Sequence, residues 1–292
     1  MNKRINKIID LVAQGQPAYY VSTEEFTYEN GLKLSKTWAD FIRLDVSTAP
    51  FDTAGIRRFM QGLLDGGPTA SGHRMVPAIA ELPTDGSDEA VMRANAWMSR
   101  HLLNCGVHGL ILCHAETPGA VKAFVESSRY SFQTLGVGYG LGRGRRGNAG
   151  QEFPAKIWGV SAEEYVHLAD PWPLNPHGQL ILGIKMENQR ALENSQITVR
   201  VPGVCFGEWG LADMSMDHGY PVKPSPASLP EHLKKIKERV WGYCREAGMN
   251  FLCIVTDQDV ESHLDKGLKF CRAYDEKVAE KGRLYTRREK PW

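Results

Sequence analysis

Residues 179–219 read QLILGIKMENQRALENSQITVRVPGVCFGEWGLADMSMDHG, and their pattern decides the fold. Leu180-Ile181-Leu182-Gly183-Ile184 is a continuous apolar run, as expected of a buried strand, and it ends at Lys185-Met186-Glu187. A short helical segment follows. Val201-Pro202-Gly203-Val204-Cys205-Phe206 predicts a second buried strand running into Gly210-Leu211-Ala212-Asp213. Two successive strands thus each deliver a carboxylate, Glu187 and Asp213, at or just past the C-terminal end. In a barrel of parallel strands those ends meet at one mouth, where chemistry is done. Two hard oxygen ligands with open positions beside them suit Mg²⁺ or Mn²⁺. Taken singly, Glu187 reads as a helix cap and Asp213 as a turn residue; the pair in order favours the metal reading.

Outward from this stretch, short apolar runs alternate with helical patterns, as in repeated β/α units. Strands are predicted at 18–21, 40–46, 76–82, 109–115 and 250–256, the last closing the barrel, with a further strand near 155–160. Helices are predicted at 56–64, 94–103, 118–128 and 230–247, and one or two more within 257–281. Seven or eight units imply a (β/α)8 barrel in one domain spanning 1–292. That size accords with the roughly 250 residues such barrels commonly use. The last residues, LYTRREKPW, read as a surface tail.

Composition excludes several classes. Apolar residues make up 42% and charged residues 24%, with a formal net charge of +1, so nothing argues for nucleic acid or an anionic membrane as partner. No apolar run approaches the roughly 18 residues a bilayer span needs. The N-terminal MNKRINKIIDLVAQGQ reads as an amphipathic helix rather than a signal peptide. The six cysteines form no CxxC pair and lie largely in apolar runs, like reduced core thiols, so a cytoplasmic location is the expectation.

Residues 129–176 read as a long Gly/Arg-rich loop. Gly142 to Gly147 spells G-x-G-x-x-G, but no strand precedes it and no helix follows, so the dinucleotide reading is rejected. Arg143, Arg145 and Arg146 are instead candidates to clamp a carboxylate or phosphate, against a solvated loop as the plain alternative.

Ile184-Lys185-Met186-Glu187-Asn188 and Gly210-Leu211-Ala212-Asp213-Met214-Ser215 resemble the two metal-ligand segments of the HpcH/HpaI aldolase and citrate lyase family, and Val201-Pro202-Gly203-Val204 resembles the approach to the second. The resemblance implies a (β/α)8 barrel and a divalent ion, Mg²⁺ or Mn²⁺, held by Glu187 and Asp213. The implied reaction is carbon–carbon bond cleavage or formation on a hydroxy-oxo acid through a metal-stabilised enolate. It also implies substrate contacts at Gly210 and Ala212, and a homo-oligomer built on dimers, up to a hexamer. Arg129-Tyr130 resembles the start of the family's arginine segment, and Arg143-Gly144 or Arg146-Gly147 its end.

This sequence departs from the pattern at three places. Asp45 is kept, but Ser47 and Thr48 stand where a Glu and the base His are expected. Glu81 stands at the position of an arginine, and Lys185 at that of a glutamine. A Glu81–Lys185 ion pair would leave neither charge isolated. His114, at a strand end, is the first candidate for the missing base. Lys185 is the second, with its pKa expected to be lowered. Trp209 and Trp158 are candidates for an apolar pocket wall, and His73 and Arg74 for weaker substrate contacts. Other metal-assisted reactions on the same site (decarboxylation, hydration, CoA-ester cleavage) and a non-catalytic metabolite-binding barrel stay open.

Overall fold

In the computed structural model, which describes residues 4–292, nine parallel strands follow one another along the chain. They are β1 (Ala18–Thr23), β2 (Phe41–Leu44), β3 (Ala78–Asp85), β4 (Gly109–Cys113), β5 (Pro171–Trp172), β6 (Leu180–Met186), β7 (Phe206–Trp209), β8 (Asn250–Val255) and β9 (Phe270–Ala273). The hydrogen-bonded order runs β4-β3-β2-β1-β9-β8-β7-β6, and β4 pairs with β6 to close the ring. The two-residue β5 lies outside this ring against β6. The result is a closed eight-stranded parallel barrel with helices around it, the (β/α)8 fold.

Alternation along each strand divides the interior into two layers. Phe41, Ile79, Ile111, Ile181, Phe206, Leu252 and Phe270 form an apolar plug. The helix Lys7–Ala13 seals it from below with Ile8, Ile9, Leu11 and Val12. Asn6 caps that helix by accepting from the Ile8 N–H at 3.0 Å, and its amide donates to the carbonyls of His108 and Gln179. Two residues further along the strands the side chains become charged. Arg43, Glu81, Lys185, Glu208 and Arg272 follow the plug residues of β2, β3, β6, β7 and β9 at the same inward positions or their next repeat. The barrel is therefore dry at one end and ionic at the other.

Several sequence expectations are corrected. Residues 155–160 hold no strand: Glu152–Trp158 is a helix, ended by Gly159 in the left-handed region (φ 76°). It buries Ile157 and Trp158, and β4 passes directly to β6 in the ring. The second buried strand of the opening stretch begins at Phe206, not Val201, because Pro202 lacks an N–H and Gly203 turns the chain at φ 93°. The closing strand is β9, which pairs with both β8 and β1, so 257–281 is helix–strand–helix rather than helices alone. The 129–176 segment also contains the helix Ala162–Leu168.

The C-terminal residues are no loose surface tail. Asp40, fully buried at the entry to β2, takes Lys7 (2.9 Å), Arg283 (3.2 Å) and Arg288 (2.6 Å) as partners. One carboxylate so ties the first helix, the last helix and the chain end to the barrel. Burial alone would raise the Asp40 carboxyl, but Lys7, Arg288 and Arg283 outweigh it and hold it below the usual range.

Candidate metal-binding active site

A cavity of about 280 Å³ opens at the C-terminal ends of the strands. Asp45, Glu81, Lys185, Glu187, Trp209, Gly210, Ala212 and Asp213 all line it. β6 carries Lys185 and delivers Glu187 one residue past its end. β7 leads through Gly210 to the helix Leu211–Asp217, which presents Asp213. His114 follows β4, and one ligand atom from each of His114, Glu187 and Asp213 falls within 4.8 Å of the others.

The backbone is shaped for this convergence. His114 adopts φ 44°, a left-handed conformation that costs a side chain roughly 1–2 kcal/mol. That bend turns its N–H onto Glu187 Oε1 at 3.0 Å. Gly210 passes so close to Glu187 that an added Cβ would overlap Glu187 Oε2 and stand 2.5 Å from its Cβ. Only glycine permits the β7 turn and the β6 carboxylate to share this space.

The donor set suits a divalent cation. Glu187 is 1% exposed, and its Oε2 accepts no hydrogen bond of sound geometry. Asp213 is exposed at the mouth and supplies a second hard oxygen. His114 Nδ1 lies 2.7 Å from Asp85 Oδ1; a proton shared there leaves Nε2 as the free imidazole donor. Burial raises the Glu187 carboxyl above the usual range, against the pull of Lys185 and His114. A cation at this oxygen would relieve that cost.

Beneath the cluster lies an ionic lattice. Arg43 Nη1 is 3.3 Å from Glu81 Oε1 and 3.2 Å from both oxygens of Glu208. Lys185 Nζ is 2.9 Å from Glu187 Oε2 and 3.6 Å from Glu81 Oε1. Burial lifts the Glu81 carboxyl to about 7, with Arg43 and Lys185 pulling the other way. Burial would depress Lys185, but Cys113, Glu81, Glu187 and Glu208 around it win, and its ammonium is held above the ordinary lysine value. This reverses the expectation of a lowered lysine: Lys185 sits among carboxylates and is no neutral base. Ser47 Oγ bridges Asp45 Oδ1 (2.8 Å) and Glu81 Oε2 (3.3 Å). Asp45 would rise on burial, yet hydrogen bonds from Ser47 and Thr48 lower it.

Other candidates fall elsewhere. Arg143 does not line the mouth; with Arg93, Lys122 and Arg145 it borders a separate surface cleft around Glu126. Gly142 N–H and Arg145 N–H both donate to Glu126, at 2.7 and 2.8 Å, which pins the segment to the helix Pro118–Ser128. Arg146 stacks on Tyr130 at 4.2 Å. Trp158 stacks on His108 in the core. His73 meets Asp10 at 3.1 Å by the first helix, and Arg74 donates to the Ile157 carbonyl. Arg43, Glu208, Arg272 and Asp85 escaped sequence reading. The available signal was a charge inside a short apolar strand, as in Phe41-Ile42-Arg43-Leu44.

Solved structures share this architecture. An HpcH/HpaI aldolase/citrate lyase family protein from Burkholderia cenocepacia superposes with TM-score 0.67 at 17% identity, covering 94% of each chain. The chain has the fold of the HpcH/HpaI aldolases. A second such aldolase, from Desulfitobacterium hafniense, gives TM-score 0.66 at 16% identity, with 97% of this chain and 96% of that one covered. A CitE protein from Mycobacterium tuberculosis, described in complex with magnesium, acetoacetate and coenzyme A, gives 0.53 at 10% identity over 94% and 82%. No family model matches the sequence, and no curated protein matches it by sequence. Likeness to the HpcH/HpaI proteins is therefore one of fold. No helix among the described residues is long and apolar enough to cross a membrane.

Proposed function

We propose that this chain is a divalent-metal-dependent carbon–carbon lyase acting on a hydroxy-oxo acid, with Mg²⁺ or Mn²⁺ held by Glu187 and Asp213. The observation that carries the reading is the meeting of Glu187, Asp213 and His114 within 4.8 Å at the barrel mouth, above an otherwise neutralised ionic layer. The HpcH/HpaI fold supports it, as does the magnesium described for the CitE neighbour.

A bound divalent ion supplies Lewis acidity and a template for an oxo acid whose enolate carries the developing charge. The chain's own residues do the rest. Glu187 and Asp213 hold and orient the site. The Lys185 ammonium adds a fixed positive charge beside Glu187, and Glu81, itself paired with Arg43, keeps it in place. His114 takes up and returns the proton at Nε2, the nitrogen left unprotonated when Nδ1–H faces Asp85. Asp45 is the weaker base, because its hydrogen bonds stabilise the carboxylate. Trp209, Leu211 and Ile254 offer an apolar wall to the substrate tail.

Exchange of the pyruvate methyl protons with solvent, followed by NMR, tests this. Exchange that needs Mn²⁺ or Mg²⁺ and disappears in Glu187→Gln is expected. Absence of exchange with every divalent ion would remove the aldolase reading.

A further inference from the structure

The Gly/Arg segment, which plays no part at the mouth, walls a cleft of its own. This cleft, of about 490 Å³, lies on the outer flank of the barrel beside the helices Glu89–Ala94 and Pro118–Ser128, and shares no lining residue with the mouth cavity. Arg93, Lys122, Arg143 and Arg145 line it against one carboxylate, Glu126. That carboxylate is already taken. Arg93 Nη2 donates to its Oε2 at 2.9 Å and Gly142 N–H to its Oε1 at 2.7 Å. Arg93 also pairs with Glu89, yet its buried Nη1 donates to nothing. Lys122 Nζ stands no nearer than 4.0 Å to Glu126. Arg143 and Arg145 are exposed, and neither side chain has an ion-pair or hydrogen-bond partner among the described residues.

The backbone fixes where these two arginines stand. Burial alternates along the segment: Gly144 and Arg146 are buried, Arg143 and Arg145 exposed. Extended backbone sends residues two apart to the same side. Gly144 lies flat against the chain at Arg129–Tyr130, where an added Cβ would overlap the Tyr130 carbonyl oxygen. Arg145 N–H donates to the Glu126 carbonyl and Arg146 N–H to the Arg129 carbonyl, each at 2.8 Å. The G-R-G-R-R order thus seats the chain and leaves two guanidinium groups outward, with no acid to match them. Like charges held together in this way are relieved by an anion. We infer that the cleft binds a diphosphate group, held by Arg143 and Arg145 with Lys122 from the neighbouring helix. Planar guanidinium forks match phosphoryl oxygens. No aromatic side chain lines the cleft to stack a base, so the phosphate chain itself is what is recognised.

Calorimetric titration of the full chain with inorganic pyrophosphate, in buffer freed of divalent ions, tests this without relying on turnover. Leaving out divalent ions keeps the probe from chelating metal at Glu187 and Asp213. Pyrophosphate is expected to bind about tenfold or more tightly than orthophosphate. Arg143→Gln combined with Arg145→Gln should weaken pyrophosphate by about tenfold or more, with unchanged circular dichroism, and Arg143→Lys combined with Arg145→Lys should keep part of the affinity. ADP in the same series separates two sources of the group. Affinity equal to that of pyrophosphate assigns the phosphate chain alone, and tighter binding that depends on Arg143 and Arg145 assigns a nucleotide. No saturable heat up to about 10 mM pyrophosphate overturns the proposal. Equal binding by wild type and the double glutamine variant also overturns it, because the anion then sits elsewhere on the chain.

Discussion

Lys185 Nζ stands 2.9 Å from Glu187 Oε2, so the residue best placed to bind a cation already has a fixed one beside it. With Glu81 as its second carboxylate neighbour, this lysine stays an ammonium group and cannot be the nucleophile of a Schiff base. Borohydride added with pyruvate is expected to leave the protein mass unchanged. A reduced pyruvate adduct on Lys185 would show the opposite assignment.

Gly210 is where the turn after β7 closes on the carboxylate after β6. Ala in its place would push into Glu187, displacing the carboxylate or the turn, at about 1–3 kcal/mol. Gly210→Ala should therefore lower the denaturation midpoint and weaken Mn²⁺ binding together. Unchanged values of both would mean the contact is slack.

His114 is assigned a proton rather than a structural duty. His114→Asn is expected to slow pyruvate exchange by about 10²–10⁴-fold, the usual contribution of a positioned acid–base group, while Mn²⁺ still binds. Loss of Mn²⁺ binding alongside exchange would make His114 a third ligand instead.

Glu81 links stability to pH with a definite sign. Its carboxyl is raised from the ordinary value near 4.5 to about 7 by burial, against Arg43 and Lys185. Between those values the folded state holds a proton that the unfolded chain has lost. Its contribution to stability is thus present below about pH 4.5 and lost as pH rises towards 7. The difference in melting temperature between wild type and Glu81→Gln should move in favour of the variant across that window. A pH-independent difference would contradict the linkage.

Asp40 makes the opposite case. Its lowered carboxyl stabilises the fold above the unfolded value and loses that effect in acid. Asp40→Asn leaves Lys7, Arg283 and Arg288 buried without their counter-charge, and should cost about 3–5 kcal/mol in chemical denaturation at neutral pH. A cost under about 1 kcal/mol would mean the tail is held otherwise.

Much of this architecture was legible because barrel strands are buried on both faces and read as apolar runs. Leu180–Met186 and Gly109–Cys113 stand out for that reason, and the carboxylate beyond the first of them marks a strand end at the mouth. Two of the three four-residue strands did not stand out. Phe206–Trp209 and Phe270–Ala273 each turn a charged side chain into the polar upper layer, which interrupts the apolar pattern. The ionic lattice was legible only at Glu81 and Lys185. Arg43 and Glu208 acquire partners only when strands 165 positions apart in sequence are brought together by closure of the ring. Arg143 was misplaced because two hydrogen bonds to Glu126, invisible in a Gly/Arg repeat, set the course of its loop.

The central claim is a single divalent cation shared by Glu187 and Asp213, and a Mn²⁺ titration read by electron paramagnetic resonance tests it most directly. One bound ion per wild-type chain is predicted. Glu187→Gln and Asp213→Asn, with unchanged circular dichroism, should each weaken it by about tenfold or more, as loss of a direct ligand requires at minimum. Equal Mn²⁺ binding in wild type and both variants, or none in any, would contradict the account.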